Sequence, residues 1–229
     1  MKKWSVDDVM TTPVVTVTTD TPYRSVVDTL IEHRFSAVPV VDDFRRVTGI
    51  VSEADLLCKI EFAGDSSPRI FEGRRRRAER SKANARTAGD LMSMPAVVVL
   101  RSTSLAAAAK LMDREHVKRL PVVDGLGRIA GIVTRSDLLR VHRRPDADIL
   151  ADVRDGILHV FLIEDAETVH ADVKDGVVTL TGKAVRWSAV DIADHLIHRV
   201  AGVVEVVDQL TFDFDDRDIV GPPMPFGVA

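Results

Sequence analysis

The sequence predicts a mixed α/β fold: two strand–helix–strand–strand–helix (βαββα) units packed as a pseudo-two-fold pair, followed by a small α+β domain of order αββαβ. Two observations predict the pair. Residues 8–57 (copy one) align without a gap with residues 90–139 (copy two), and 17 of the 50 positions are identical. Units of about fifty residues are too small to bury a sheet face alone, which favours packing one against the other. The third observation is a change of pattern after Asp146.

Matching signals mark the elements of the two copies. A hydroxyl residue just before the first helical residue predicts helix starts at Thr21-Pro22 in copy one and at Thr103-Ser104 in copy two. The helix of copy two should turn one face inward, formed by Leu105, Ala108, Ala109 and Met112. Strands that alternate with turn residues are predicted over residues 37–41, 47–51, 120–123 and 129–133.

The third part of the chain begins with a predicted helix whose apolar face is formed by Ile149, Val153, Ile157 and Phe161. A strand from Thr168 to Val173 then leads to Asp175-Gly176, a dipeptide suited to a tight hairpin turn with both residues at positive φ. A second helix follows, with its inward face at Val190, Ala193, Ile197 and Val200, and the last strand runs from Val203 to Phe212.

These patterns divide the chain into five parts. We expect copy one with its flanks at residues 1–60, a basic linker at 61–88, copy two at 89–144, the C-terminal domain at 146–214 and a flexible tail at 215–229.

The composition is that of a globular protein, with 45% hydrophobic and 29% charged residues. Residues 146–218 hold 17 Asp and Glu against 6 Lys and Arg, a net charge of −11. Because the whole chain has a net charge of −4, the remaining residues have a net charge of +7. This asymmetry suggests two domains with different partners. The single cysteine, Cys58, excludes an internal disulfide, and we find neither an apolar targeting segment nor an apolar run near 20 residues. We therefore expect a cytoplasmic protein that does not cross a membrane.

The linker has the most lopsided local composition in the chain. Its stretch EGRRRRAERSKANARTAG (72–89) contains two glutamates, Glu72 and Glu79, and seven basic residues: Arg74, Arg75, Arg76, Arg77, Arg80, Lys82 and Arg86. Such a segment is typical of a solvated, partly helical or disordered linker. The alternative is an anion-binding arm, for example for nucleic acid. No aromatic residues are interleaved with the arginines, which argues against stacking on single strands.

A hydroxyl and a carboxylate stand three residues apart at the same place in both copies. Copy one has Ser52 and Asp55 after Gly49, and copy two has Thr134 and Asp137 after Gly131. The spacing is that of a capping box, which satisfies unpaired backbone donors at a helix start without any ligand. It is equally suited to a nucleotide, because a helix start attracts anions and a carboxylate accepts two hydrogen bonds from a ribose diol. Both interpretations can hold together.

The doubled unit, over about residues 6–143, resembles a tandem pair of CBS domains. The resemblance implies a site for an adenine nucleotide in each copy, with the ribose hydroxyls on Asp55 and Asp137 and the ribose or phosphate beside Ser52 and Thr134. The adenine would be bracketed by the strands that lead to Pro39 (from Ala37) and to Pro121. Thr16, aligned with Val98, would face the base.

The two implied sites differ in their cations. Copy two offers His116, Lys118, Arg119 and Arg135, whereas copy one has Arg34, Ser36, Ala37 and Glu53 at the aligned positions. We expect phosphate affinity to favour the copy-two set, although these side chains can reach into the neighbouring cleft. A solvated surface position is the alternative for each of them.

The C-terminal segments VKDGVVTLTGKA (173–184) and VAGVVEVVDQL (200–210) resemble a BON domain, with glycines at 176, 182 and 202. The resemblance implies attachment to phospholipid or to another macromolecule and no catalysis. Because the charge of −11 is repelled by anionic head groups, a protein or small-ligand partner is favoured over a membrane.

Catalytic groups are not evident. Cys58 is predicted to pack on an apolar helix face, and His195 and His198 lack a third metal ligand at a recognisable spacing. The sequence therefore predicts a non-catalytic regulatory homodimer that needs no cofactor. It would sense AMP, ADP, ATP or a related adenosyl ligand in the CBS pair and relay this through the BON-like domain to a protein partner. The alternative is a scaffold, in which the pair only dimerises and the BON-like domain or linker binds a macromolecule or membrane surface.

Overall fold

In a computed structural model of the chain, the described residues are 3–62, 80–162 and 167–217. They form two compact units, one of residues 5–138 and one of Trp4 with the residues from Leu139 onward. Arg74 to Arg77 of the basic linker lie outside the described residues. Within the described ranges, no helix is long and apolar enough to cross a membrane.

Copies one and two of the first unit repeat the same elements in the same order. Copy one contains β1 (Val17–Thr18), α1 (Tyr23–His33), β2 (Ala37–Val41), β3 (Val47–Ser52) and α2 (Glu53–Glu61). After a short α3 (Ala88–Leu91), copy two contains β4 (Val99–Leu100), α4 (Leu105–Arg114), β5 (Arg119–Val123), β6 (Ile129–Thr134) and α5 (Arg135–Leu139). Each sheet has a parallel first pair of strands and an antiparallel second pair. The predicted βαββα order is confirmed.

Reciprocal hydrogen bonds relate the copies by a pseudo-two-fold axis. The Val6 amide donates to the Thr103 carbonyl at 2.8 Å, and 82 residues further on the Ala88 amide donates to the Thr21 carbonyl at 2.8 Å. Bridges between Thr11 and Ile132 and between Ile50 and Ser93 repeat this exchange. The segment that precedes the first strand of each copy therefore pairs with the other copy.

The helix starts differ from the prediction by one residue. The N-cap positions are Pro22 and Ser104, and the Ser104 hydroxyl accepts a hydrogen bond from the Ala107 amide at 3.2 Å. Thr21 does not cap α1, because its hydroxyl oxygen accepts from the Thr18 amide at 3.0 Å and closes the preceding turn. In α4 the inward face is also narrower than predicted, since Ala109 is exposed while Ala108 is buried.

The second unit has the predicted αββαβ order. It contains α6 (Asp146–Val153), β7 (Val169–Lys174), β8 (Val177–Arg186), α7 (Trp187–Ile197) and β9 (Glu205–Phe214). In the sheet of order β7-β8-β9, the first pair is antiparallel and the second parallel. The hairpin turn has positive φ at both Asp175 (53°) and Gly176 (77°), as predicted. The predicted inward residues of α7 and Val200 are buried in the core.

A π-helical turn at Arg154–Leu158 extends α6 and overturns the prediction for Phe161. A π turn contains one residue more than an α turn, so the apolar positions beyond it rotate around the axis. As a result Leu158 and Leu162 are buried, whereas Phe161 is 46% exposed. The face predicted from Ile149, Val153 and Ile157 is confirmed up to the turn.

The end of the described chain is anchored rather than free. Asp216 is buried, and its carboxylate accepts hydrogen bonds from the Ser188 amide at 2.9 Å and the Ser188 hydroxyl at 2.6 Å. Asp216 therefore caps the start of α7. Residues 215–217, which the sequence assigned to the flexible tail, belong to this domain, and residues 218–229 lie outside the described part.

Candidate functional site

The hydroxyl–carboxylate pairs form the same hydrogen bonds in both copies. Asp55 Oδ2 accepts from the Ser52 amide at 2.8 Å and from its hydroxyl at 2.6 Å. Asp137 Oδ2 accepts from the Thr134 amide at 2.9 Å and from its hydroxyl at 2.7 Å. The bond from each amide is one half of a capping box. The other half is present as well, since the Asp137 amide donates to the Thr134 hydroxyl at 3.2 Å and α2 has the same box, so the capping interpretation is confirmed. A ligand role for the same groups stays a prediction.

Strand register places the other implied residues of copy one on or next to β1 and β2, the two other strands of the sheet that contains β3. Ala37 at the start of β2 is paired with Ser52 at the end of β3, and Pro39 is paired with Ile50. Thr16 directly precedes Val17, which pairs with Val40 on the other side of β2. The predicted base position at Thr16 and the predicted ribose position at Asp55 are therefore connected through three neighbouring strands, β1, β2 and β3.

Copy two repeats the register with a different side chain at the key position. Arg119 at the start of β5 is paired with Thr134, and Pro121 is paired with Ile132. Arg119 thus stands where copy one has Ala37. Asp137 is buried, with 6% of its surface exposed.

Of the four predicted cations, Arg119 makes the contact across the pair. Its guanidinium donates a hydrogen bond to the Ser36 hydroxyl of copy one. Burial lowers the pKa of Arg119, and the nearby Glu53 carboxylate opposes this shift. An arginine nevertheless remains protonated in a protein, so a copy-two cation is held at the edge of copy one.

The remaining cations have structural explanations. His116 has a φ of 52° just after α4, and the aligned Arg34 has a φ of 54° at the end of α1, so both end a helix in the left-handed conformation. Arg135 donates to the Val117 carbonyl at 3.3 Å, and Lys118 is exposed. A ligand role for these three rests on the sequence alone.

Sequence reasoning missed Lys82 as a component of the copy-one site. Its ammonium lies 2.5 Å from Asp55 Oδ1 and donates to the Ser93 hydroxyl at 2.9 Å. Both side chains of the ion pair are largely buried, with 17% of Lys82 and 12% of Asp55 exposed. No local signal distinguishes Lys82 from the seven other cations of the linker, because the contact joins residues 27 positions apart.

The groups considered for catalysis or metal binding have other partners. Cys58 is buried, and its thiol donates to the Ala54 carbonyl at 3.4 Å. His195 Nδ1 and His198 Nδ1 each lie 2.9 Å from the carbonyl oxygen four residues earlier. In the part of the chain that the structure describes, no three potential ligands come together as a metal site.

Family models agree with this architecture. The CBS domain model matches residues 6–61 and 88–144, and the BON domain model matches residues 145–213. The chain belongs to the CBS-domain family. Its two copies are a CBS pair, and its C-terminal domain is a BON domain.

Two relatives of the chain match it over part of its length. The CBS domain-containing protein CBSX1 of Arabidopsis thaliana is 34% identical over 123 residues, 48% of this chain and 51% of that protein. An uncharacterised protein of Methanocaldococcus jannaschii is 30% identical over 152 residues, 58% of this chain and 88% of that protein. This chain spans about half the length of the curated CBSX relatives that it matches.

Among solved structures, the chain is similar to CBSX2 of Arabidopsis thaliana in complex with AMP. The sequence identity is 34%, and the TM-score is 0.53. The match covers 60% of this chain and 95% of that one.

Proposed function

We propose that the CBS pair is a non-catalytic sensor that binds an adenine nucleotide in clefts formed around Ser52–Asp55 and Thr134–Asp137. The observation that carries the proposal is the position of these pairs. Each pair stands at the start of a helix. Its hydroxyl residue is also paired with the first residue of the neighbouring, largely buried strand, β2 or β5. A helix start and a carboxylate together suit a ribose phosphate. The likeness to CBSX2, whose structure was solved with AMP, supports the adenine class.

Because the carboxylates already cap their helices, the test must separate capping from ligand binding. We would titrate the full chain with adenosine, AMP, ADP, ATP and S-adenosylmethionine, with GTP as the comparison, and record calorimetric heats and melting temperatures. A ligand at 100 times its dissociation constant should stabilise the CBS pair by about 2.7 kcal/mol. The variants Asp55→Asn and Asp137→Asn should each remove one binding event.

The chain offers a matched control for the capping role. Asp8 and Asp90 accept from the amides of Ser5 and Thr87 at 2.8 and 3.1 Å, in boxes that also have 82-residue spacing. Asp8→Asn and Asp90→Asn should therefore lower stability as the site variants do, while leaving nucleotide binding intact. Unchanged binding in both site variants would leave capping as the only role of Asp55 and Asp137.

We further propose that the CBS pair forms a homodimer through the outer helices of copy one. A groove between α1 and α2 is lined by apolar side chains, among which Ile31 and Ile60 are 70% and 72% exposed. Exposed apolar patches of this kind mark interfaces in soluble proteins. Ile31→Glu should convert the dimer to a monomer in light scattering, and Ile192→Glu, at an exposed apolar site in the BON domain, should not.

The BON domain is proposed to relay the nucleotide state to a protein partner. Its edge strand β9 exposes Phe212 and Phe214 on either side of Asp213, in a segment with an excess of negative charge. An exposed edge can take up a partner strand, and the charge favours a basic one. Titration with a lysine-rich peptide should perturb the NMR signals of Phe212 and Phe214 more than those of the exposed Phe161, while anionic vesicles should not sediment the protein.

A further inference from the structure

Lys82 holds Asp55 in an arrangement that we call the Lys82 bridge, formed by Lys82, Asp55 and Ser93. The Lys82 ammonium lies 2.5 Å from Asp55 Oδ1 and 2.9 Å from the Ser93 hydroxyl. Ser93 is itself fixed, because its amide donates to the Ile50 carbonyl of β3 at 2.9 Å. The ammonium is therefore attached both to the predicted ribose carboxylate and to the segment that leads into copy two.

Helix α2 fixes the linker around Lys82. Residues 80–83 are helical, and the Lys59 ammonium of α2 donates to the carbonyls of Ala83 at 3.1 Å and Ala85 at 3.0 Å. The Arg80 guanidinium lies 5.2 Å from the centre of the Phe62 ring, and Ala85 is buried. These contacts hold Lys82 above the start of the same helix that Asp55 caps.

By a count of acceptor positions, a ribose diol would compete with Lys82 for Asp55. A carboxylate has about four acceptor positions, and two of them, both on Asp55 Oδ2, are taken by the Ser52 amide and hydroxyl. Lys82 approaches Oδ1, the oxygen that a ribose diol would need for its two hydrogen bonds. A diol therefore binds in full only after the ammonium leaves Oδ1.

We propose that Lys82 is an intramolecular counter-ion that occupies the diol position of Asp55, so that nucleotide binding in the copy-one cleft releases the Lys82 bridge. This inference rests on the proposed function. It makes the linker the element that responds to ligand in copy one. It also lowers the apparent affinity of that cleft, by tenfold if about 10% of the molecules have the bridge open.

The first measurement needs no ligand. Reductive methylation of the full chain, followed by mass spectrometry, reports the reactivity of each lysine amine. Asp55→Asn should raise the modification rate of Lys82 at least threefold relative to the exposed Lys110, whereas the matched capping variant Asp8→Asn should leave it unchanged. Equal Lys82 rates in the wild type and Asp55→Asn would overturn the bridge.

The second measurement uses adenosine, which lacks phosphate, so that a lost cation cannot weaken a phosphate contact. In an Asp137→Asn background, which confines binding to copy one, Lys82→Met should bind adenosine about tenfold more tightly than the parent. Lys82→Arg should stay close to the parent, because a guanidinium also pairs with the carboxylate. Adenosine should in addition raise the methylation rate of Lys82 in the parent.

The outcomes separate the two proposals. If the parent binds adenosine and Lys82→Met binds it equally or more weakly, the counter-ion role is wrong and the sensor role stands. If Lys82→Met binds adenosine and the parent does not, the bridge closes the cleft and both proposals are supported. If neither this background nor the chain with Asp137 intact binds any adenine ligand, both proposals fail.

Discussion

Gly49 and Met92 are in direct contact across the pseudo-two-fold axis of the CBS pair. A Cβ atom on Gly49 would lie 2.5 Å from Met92 Sδ, and one on Gly131 would lie 2.3 Å from Met10 Sδ. Gly131 and Met92 stand 82 residues after Gly49 and Met10. In each copy, a methionine of the other copy packs against the glycine in the space that a side chain would fill. This packing explains why a glycine precedes both hydroxyl–carboxylate pairs.

Replacement of Gly131 by alanine should therefore destabilise the CBS pair. We expect a loss of about 1–3 kcal/mol in the free energy of unfolding, because the added methyl overfills the space occupied by Met10. Urea denaturation would measure it. Gly125→Ala is the control, since a Cβ there meets nothing within 4 Å. Recovery of stability in the Gly131→Ala, Met10→Ala double variant would confirm the cause, and an equal effect at Gly125 would contradict it.

In the BON domain, Gly182→Ala should abolish the folded hairpin. Gly182 has a φ of 117°, and a Cβ atom would fall 1.9 Å from the Thr168 carbonyl oxygen, which is backbone and cannot move aside cheaply. We expect a loss of about 3 kcal/mol or more for this domain alone. Differential scanning calorimetry should show the BON transition lost and that of the CBS pair retained. Asp175→Asn is the control, because asparagine tolerates the left-handed conformation.

Acid should weaken the BON domain through Asp216. The Ser188 hydroxyl lowers the pKa of Asp216 below its usual value near 3.9, while burial acts in the opposite direction. Because the folded-state pKa is the lower one, the carboxylate stabilises the domain above about pH 4, and this stabilisation is lost as pH falls through the folded-state pKa. Asp216→Asn should lower the BON melting temperature at pH 7, and the difference in melting temperature from the wild type should shrink as the pH falls below about 4.

The control for this titration is Asp213→Asn on β9. Asp213 pairs with Lys183, but both side chains are more than half exposed, and such pairs contribute little to stability. A melting temperature that responds equally to both substitutions would argue against a capping role for Asp216.

Local signals explain how much of the fold and site the sequence predicted. The Asp175-Gly176 turn, the repeat order and the box at Ser52 and Asp55 each depend on residues a few positions apart, and all three are present. The π turn before Phe161 was not predicted, because the spacing of apolar residues along a helix does not reveal an inserted residue. The Lys82–Asp55 pair escaped because it depends on tertiary packing, which composition does not encode.

The sequence also could not show which of the four copy-two cations contacts copy one, because that contact depends on tertiary packing. The contact of Arg119 with Ser36 can be tested. This guanidinium belongs to copy two and bonds to Ser36 of copy one, so it can bind a phosphate at the copy-one edge. Arg119→Met should weaken AMP binding about tenfold while leaving adenosine binding unchanged, because hydrogen bonds to charged groups contribute about 1.5–3 kcal/mol. Arg114→Met is the control, since Arg114 is exposed and pairs with Glu115. Higher salt should reduce the difference in AMP affinity between the wild type and Arg119→Met, and it should leave their adenosine affinities equal. An equal loss of adenosine and AMP affinity would instead assign Arg119 to the shape of the cleft.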